Sequence, residues 1–301
     1  MKQMKKYHGV VVPMVTPVTK DGHVDLDAVK RIVDHFARNN VAALLMGTTG
    51  EGHSVPVDEG ELMVKAAKEA AAGRILIYAG LGGNCVRDIL NAANKYSEAG
   101  ADVIAATLPC YYALTPDQMY EYYNILANSL SVPLMLYNIT ITTHMSIPLE
   151  IIDRLSRHTN IVGLKDSEND LERMEKALCM FANREDFAYF CGCAANSARA
   201  LELGADGIVP SVGNYLPKMY ADLYNAGVEG DLDKAAQLQR ETIEIGRINT
   251  DGLTLGQSLA GLKVIMKMAG LCETYMLPPL TELDDNTVCR IQEQAKKYLS
   301  L

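Results

Sequence analysis

The sequence predicts a closed barrel of eight parallel strands, each followed by a helix, which is the (β/α)8 fold. Two observations lead to this prediction. Short, continuously apolar and β-branched segments recur eight times before residue 228, and such segments are typical of parallel strands that are covered on both faces. Segments with apolar residues at helical spacing separate them, and eight strand–helix units is the number that closes this barrel.

The predicted strands and the signals at their ends follow in chain order. Thr115 followed by Pro116 predicts a helix start, since it combines an N-cap with proline at the first helical position. The segments 98–104 (EAGADVI) and 202–208 (ELGADGI) predict the same turn twice, with a glycine ending a helix just before a strand. The eight strands are expected at 9–15, 41–47, 75–81, 101–107, 132–138, 161–166, 187–192 and 206–211.

An open, doubly wound sheet is the structural alternative. That fold usually has fewer strands and a GxGxxG fingerprint after the first one, whereas the first strand here leads into TPVTKDGHV. We therefore expect the barrel to span residues 1–228. Three further helical patterns over 229–301 predict a C-terminal extension packed on the barrel, because no Ser/Gly/Pro-rich linker precedes them.

Composition excludes several classes of protein. The chain has 301 residues, of which 49% are hydrophobic and 22% charged, as in soluble globular proteins. A net charge of −9 without a basic cluster argues against nucleic-acid binding. No apolar run reaches the roughly 18 residues of a membrane span. Seven cysteines without metal-binding spacing predict free thiols in a reducing cytoplasm. Pro13 and Pro17 interrupt the N-terminal apolar run, which we interpret as a strand and not as a signal peptide.

Lys165 lies at the end of the sixth predicted strand, where a charged side chain is unexpected. If Leu164 faces the helices, strand alternation points Lys165 into the barrel, and the same reasoning points Tyr137 inward from the fifth strand. A buried lysine has a lowered pKa, and the neutral amine is a nucleophile that forms a Schiff base with a carbonyl compound. The alternative is a structural lysine that reaches solvent at the barrel mouth or pairs with a carboxylate.

The end of the second strand, GTTGE at 47–51, supplies a second element of the predicted site. Threonine hydroxyls and successive backbone amides beside glycines form a concavity that binds anions. Together with an inward lysine and an inward tyrosine, this turn predicts a site for a 2-oxo acid. Its carboxylate would lie in the turn, its C2 carbonyl at Lys165, and the phenol of Tyr137 would carry protons.

The motifs GTTGE, YN at the fifth strand end and GLKDS at the sixth, in this order, resemble the dihydrodipicolinate synthase / N-acetylneuraminate lyase family over nearly the whole chain. The resemblance implies a pyruvate-dependent, Schiff-base-forming lyase or synthase without a metal cofactor. It assigns the imine to Lys165, general acid–base chemistry to Tyr137, and carboxylate binding to Gly47, Thr48 and Thr49.

The resemblance also implies a homotetramer, a dimer of dimers. Tyr111, from the segment Pro109-Cys110-Tyr111, would enter a neighbouring subunit and connect through Thr48 to Tyr137. Val209 falls where the family offers a backbone carbonyl near the imine, and Gly192 lies where the family contacts the far part of the substrate.

The substrate is less closely indicated. Synthases that use aspartate semialdehyde resemble YN-x-P-x-R-T, but Thr142 replaces the arginine, and a hydroxyl cannot supply its charge. Sialic acid lyases resemble G-Y-D-E after the seventh strand, whereas Cys193 follows Gly192 here. The chain looks more like members that act on 2-keto-3-deoxy sugar acids. Hydroxyls available to such a substrate, or to ordinary capping, belong to Thr140, Thr142, Thr143 and Ser211.

Other roles remain open at this stage. A non-catalytic binding barrel would lack Lys165 or Tyr137, and both are present. A metal-dependent aldolase would need a His/Asp/Glu cluster at the strand ends, and the sequence offers none with ligand spacing. His53 and His144 lie near the same mouth, and we expect Glu51 to fix the turn rather than to donate a proton. The alternatives for function are therefore dihydrodipicolinate synthase, N-acetylneuraminate lyase and a binding protein.

Overall fold

The protein forms a closed barrel of eight parallel strands in sequential order, as a computed structural model that describes residues 4–299 shows. The predicted fold is confirmed. Residues 1–3 and 300–301, at the outer ends of the two predicted domains, lie outside the described residues. The strands are Gly9–Pro13 (β1), Ala42–Leu45 (β2), Ile77–Leu81 (β3), Val103–Thr107 (β4), Leu134–Asn138 (β5), Ile161–Asp166 (β6), Ala188–Cys191 (β7) and Gly207–Ile208 (β8).

Helices surround the barrel and continue beyond it. The barrel helices are Leu26–Ala37 (α1), Val57–Ala71 (α2), Val86–Glu98 (α3), Pro116–Ser129 (α4), Thr140–Thr143 (α5), Leu149–Leu155 (α6), Leu171–Phe181 (α7), Ser197–Glu202 (α8) and Pro217–Glu229 (α9). The predicted extension is present as Leu232–Arg247 (α10), Leu255–Met268 (α11) and Asp285–Ala295 (α12). Within residues 4–299, no helix has the length and hydropathy that a membrane span requires.

Local sequence signals set the ends of these helices. Thr115 caps α4 by accepting a hydrogen bond from the backbone of Gln118, and Pro116 is the first helical residue, as predicted. The two repeated turns also form as predicted, because Gly100 and Gly204 have φ of +105° and +93°, a region that favours glycine.

The barrel has two separate cores. A large one lies between strands and helices, and a smaller one fills the barrel interior. Met135 belongs to the interior core, so Tyr137, two residues later on β5, also faces inward at the carboxyl ends of the strands. Tyr137 and Lys165 are register partners, and so are Lys165 and Phe190. The interior core contains Tyr7, Val11, Leu44, Tyr78, Val103, Ala105, Met135, Ala188, Phe190 and Val209.

The seam between β8 and β1 is short. Only Gly9 with Gly207 and Val10 with Ile208 pair across it. Asn214, which is fully buried, continues the connection, since its side-chain amide donates to the carbonyl of Pro13 at 2.8 Å and its oxygen accepts from the amide of Val15 at 3.0 Å.

Candidate active site

Lys165 lies at the carboxyl end of β6 and points into the barrel mouth, as the strand pattern predicted. It is 4% exposed, and its Nζ lies 3.3 Å from the centroid of the Tyr137 ring. Burial lowers the pKa of Lys165 from its ordinary value, and the neighbouring phenol of Tyr137 opposes part of that shift. The adjacent carboxylate of Asp166 faces the other side of the strand and pairs with Arg173. The alternative in which Lys165 pairs with a carboxylate is therefore wrong for Asp166.

The GTTGE segment forms a tight turn directly after β2. The amides of Gly50 and Gly52 both donate to the carbonyl of Gly47, at 3.0 and 3.1 Å, and the amide of Glu51 donates to Thr48 at 3.2 Å. Within the described chain, no protein acceptor takes the amides of Thr48 and Thr49. Two adjacent amides thus remain for a ligand, which is the arrangement that a carboxylate needs.

Crowding requires glycine at positions 50 and 52. A Cβ atom on Gly52 would lie 1.8 Å from the carbonyl oxygen of Met46, and one on Gly50 would lie 2.7 Å from that of Met14. Met46 itself has φ of +48°, a left-handed conformation that is uncommon for a non-glycine residue. The packing around the turn therefore fixes its course.

Thr48 connects this turn to the interior of the barrel. Its Oγ1 lies 3.2 Å from the phenolic oxygen of Tyr137, within hydrogen-bonding distance. The structure thus brings the predicted Lys165, Tyr137 and Thr48 together in one chain of contacts. A carbonyl compound bound at Thr48–Thr49 would meet an amine and a phenol side by side.

A buried polar network supports β5 and β6 just beyond Tyr137 and Lys165. Asn138 donates to Asp166 at 2.9 Å and to Glu168 at 2.7 Å. Arg173 on α7 donates through Nε to the carboxylate of Asp166 at 2.8 Å and through Nη2 to the carbonyl of Ile147 at 2.9 Å. Because Asn138 and Asp166 are register partners, the network holds the two strand ends in alignment.

Comparison with known proteins agrees with this geometry. The family model described as "Dihydrodipicolinate synthetase family" matches residues 6–298. The chain belongs to the dihydrodipicolinate synthetase family. It is an enzyme, a pyruvate-dependent lyase of that family, and the resemblance seen in the sequence is confirmed.

Individual members of the dihydrodipicolinate synthetase family align along most of the chain. A 4-hydroxy-tetrahydrodipicolinate synthase from Nitrosospira multiformis is 31% identical over 92% of this chain and 91% of its own length. "Probable 2-dehydro-3-deoxy-D-pentonate aldolase YjhH" from Escherichia coli K12 is 28% identical over 94% of each chain. The chloride-inhibited dihydrodipicolinate synthase from Acinetobacter baumannii, solved in complex with pyruvate, superimposes with a TM-score of 0.88 at 26% identity, over 96% of this chain and 98% of the other.

Tyr111, which the family resemblance places in a neighbouring subunit, projects from the barrel of this chain. It is 76% exposed, and the amides of Cys110 and Tyr111 are fixed by the side-chain oxygen of Asn84, at 3.1 and 3.0 Å. In an extended segment, the rings of the adjacent Tyr111 and Tyr112 would point to opposite sides, and here they do not. Their rings contact each other edge-on with centroids 4.9 Å apart, because the chain bends here and is not extended.

Thr142, Ser211 and Gly192, the predicted residues on the substrate side, follow the carboxyl ends of β5, β8 and β7 respectively. Thr142 is partly buried on α5, where its hydroxyl donates weakly to the carbonyl of Ile139, at 3.4 Å. Ser211 is also partly buried and begins a short 3-10 helix, Ser211–Asn214. The amide of Gly192 donates to the backbone carbonyl of Asp166 at 2.7 Å. A Cβ atom on Gly192 would lie 2.2 Å from the hydroxyl oxygen of Ser167.

Thr143, His144 and Val209 are the other residues considered at the barrel mouth. Thr143 is used for capping, because its buried hydroxyl donates to the carbonyls of Ile139 and Met145. His144 is exposed and ends α5 in a left-handed conformation. Val209 is buried in the interior core, and its amide donates to Cys191 at 2.8 Å.

Lys263 is the residue that the sequence did not identify. Its Nζ lies 2.5 Å from Oε1 of Glu51, and both side chains are fully buried. The expectation that Glu51 fixes the turn is confirmed, since Glu51 also accepts from the backbone amide of Leu277 at 2.8 Å. A signal was present in the sequence, because Lys263 interrupts the otherwise apolar run LAGLKVIM of α11.

Proposed function

We propose that the chain cleaves a 2-keto-3-deoxy sugar acid into pyruvate and an aldehyde through an imine on Lys165. The observation that carries the proposal is the buried amine of Lys165 beside the phenol of Tyr137, with a lowered pKa of the lysine. A neutral amine attacks the C2 carbonyl of a 2-oxo acid, and loss of water gives the imine. The amides of Thr48 and Thr49, which donate to no acceptor within residues 4–299, support a carboxylate on the required side.

Tyr137 is proposed to move the protons of the reaction. When the carbinolamine on Lys165 loses water, the phenol of Tyr137 gives its proton to the leaving hydroxyl, which leaves a protonated imine and a phenolate. The phenolate then takes the proton of the C4 hydroxyl, the C3–C4 bond breaks, and the electron pair of that bond neutralises the protonated imine to give an enamine as the aldehyde leaves. Tyr137 then returns the proton to C3, and water hydrolyses the resulting pyruvate imine. The Oγ1 of Thr48 lies 3.2 Å from the phenolic oxygen of Tyr137, and it orients the phenol during these proton transfers.

Two observations favour a sugar acid as the substrate. Threonine at position 142 supplies no positive charge for the second carboxylate of an aspartate semialdehyde adduct. The relative named as a 2-dehydro-3-deoxy-D-pentonate aldolase spans 94% of this chain. The alternative, a 4-hydroxy-tetrahydrodipicolinate synthase, is favoured by the relative of that name at 31% identity. We also propose a cytoplasmic location, because all seven cysteines are free thiols.

The imine can be tested without knowing the aldehyde. Borohydride reduction in the presence of pyruvate should leave an adduct on the peptide that contains Lys165, as identified by mass spectrometry. Lys165→Ala should leave none. An adduct that persists in Lys165→Ala would refute the assignment of the lysine, and no adduct in the native protein would favour a binding protein.

The substrate requires a comparison of catalytic efficiencies. We expect the highest kcat/KM with 2-keto-3-deoxy pentonate or hexonate, measured as pyruvate release. A higher efficiency for condensation of pyruvate with aspartate semialdehyde would establish the synthase alternative. Release of pyruvate from N-acetylneuraminate at a higher efficiency would establish the sialic acid lyase.

We further propose a homotetramer in which Tyr111 completes the site of a neighbouring subunit. The support is the exposure of two adjacent tyrosines, 76% for Tyr111 and 68% for Tyr112, on a segment that Asn84 fixes by hydrogen bonds. Mixed dimers of Tyr111→Phe and Lys165→Ala chains should recover activity, because one of their two sites has both groups. An active monomer in sedimentation, or mixed dimers as inactive as both parents, would contradict the shared site.

A further inference from the structure

The ion pair between Glu51 and Lys263 connects the turn after β2 to the C-terminal extension. Both side chains are fully buried, and their charged atoms lie 2.5 Å apart. Each partner has a further bond to the chain after α11. Lys263 donates to the carbonyl of Tyr275 at 2.7 Å, and Glu51 accepts from the amide of Leu277 at 2.8 Å. One ion pair and two hydrogen bonds thus join the turn, α11 and the segment that follows α11.

The turn needs an external support of this kind. Glu51 has φ of +53°, a left-handed conformation that an L-residue with a side chain adopts at a cost. The carbonyl of Gly50 is also held from outside, by the hydroxyl of Thr16 at 2.5 Å. The amides of Thr48 and Thr49, and the hydroxyl that reaches Tyr137, lie on the same short turn. A shift at Glu51 therefore moves the groups at the barrel mouth.

We infer that Lys263 is a positioning residue for the reaction, and that α11 is a structural part of the active site. The inference rests on the proposed function, in which the turn binds the carboxylate of pyruvate. Lys263 contacts no substrate in this view. It holds the carboxylate of Glu51, Glu51 holds the turn, and the turn sets the amides of Thr48 and Thr49 and the hydroxyl of Thr48.

A purely structural role is the alternative, since loss of one partner of any buried ion pair destabilises a protein. The chain offers a matched control at the opposite end of the barrel. Lys5 pairs with Asp206 at 2.8 Å, with side chains 7% and 5% exposed, and it also donates to the carbonyl of Phe187. Lys5→Met and Lys263→Met thus remove the same side chain from two buried ion pairs, only one of which touches the turn.

The experiment compares these two full-length variants by exchange of the pyruvate methyl hydrogens with deuterated water. This exchange needs the imine and Tyr137 but no aldehyde. We expect Lys263→Met to raise KM for pyruvate about tenfold or more and to lower kcat as well, because both the amides and the Thr48 hydroxyl move. Lys5→Met should lower the unfolding temperature with KM and kcat within about twofold of the native values. Equal kinetic effects of the two variants would overturn the inference.

Hydrogen–deuterium exchange gives a second readout that does not depend on activity. The amides of residues 50–52, which are bonded within the turn, should exchange faster in Lys263→Met than in Lys5→Met, at temperatures equally far below each unfolding midpoint. Unchanged exchange would refute the positioning role. Absence of a pyruvate adduct in the native protein would instead refute the proposed function, so the two failures are distinguishable.

A double variant keeps the test decisive if Lys263→Met folds poorly. Glu51→Gln with Lys263→Met removes both buried charges and leaves an acceptor for the amide of Leu277. We expect its unfolding temperature to rise above that of Lys263→Met while KM for pyruvate stays elevated, because the link to α11 is still missing. Recovery of KM together with stability would show that the ion pair does not position the turn.

Discussion

Arg173→Met tests whether the polar network beyond the catalytic strands holds them together. The guanidinium pairs with Asp166, whose side chain is 2% exposed, and bonds to the carbonyl of Ile147. Methionine fills much of the space but leaves a buried carboxylate without its cation. Breaking a buried ion pair from one side costs about 3–5 kcal/mol. With an unfolding entropy of about 2.1 cal/mol/K per residue, a chain of this length should lose roughly 5–8 °C in Tm.

The control for this variant is Lys176→Met on the same helix. Lys176 pairs with Glu172 at 2.6 Å, but the two side chains are 63% and 78% exposed, so solvent screens the pair and the change should have little effect on stability. Thermal unfolding followed by circular dichroism measures both variants. Adding Asp166→Asn to Arg173→Met should recover part of the loss, because the more deeply buried of the two carboxylates is then neutral and only Glu168, 3.5 Å from the native Arg173 Nε, lacks its cation. The reasoning is refuted if Arg173→Met unfolds at the same temperature as Lys176→Met.

Three further predictions concern the mouth of the barrel. Because burial lowers the pKa of Lys165, the unfolded chain holds more protons between that lowered value and the ordinary one of about 10.4, and stability rises with pH across this range. Lys165→Met should remove this dependence of the free energy of unfolding on pH and stabilise the protein at neutral pH. Urea unfolding measured at several pH values would contradict this if the free energy of unfolding rose with pH as steeply as in the native protein. Thr48→Val should lower kcat about tenfold with little change in KM for pyruvate, since the carboxylate meets backbone amides; steady-state kinetics in which only KM changes would be inconsistent with this role. Turnover should persist in EDTA, because the imine accepts the electrons that a metal would otherwise attract; loss of activity that a divalent ion restores would exclude the imine mechanism.

The sequence predicted the parts of the site that depend on strand alternation. Tyr137 faces inward because it lies two residues after Met135 of the interior core on β5. Lys165 faces inward because it alternates with Leu164, which packs against the helices, in the part of β6 that follows the register shift at Gly163. Tyr111 and Tyr112 fall outside any strand, so alternation did not apply, and their rings meet instead of diverging.

The contacts between distant segments could not be predicted. Periodicity identifies the buried face of α11, but it does not say which part of the barrel that face meets. Lys263 was therefore visible only as a charge in an apolar run, and its partner Glu51 was visible only as part of a turn. Thr143 illustrates the same limit at short range, because its hydroxyl had equally good uses in capping and in binding until the backbone was placed.

The short seam between β1 and β8 has a consequence for biosynthesis. β1 leaves the ribosome first, but the strand that pairs with its free edge comes more than two-thirds of the way along the chain, and only two residues pair there. The side chain of Asn214 then takes the place of a further rung between the two ends. The barrel can therefore close only after β8 has emerged, and the bonds of Asn214 form only when residue 214 follows. Until then β1 is the open edge of an unfinished sheet, the kind of edge that pairs with other chains.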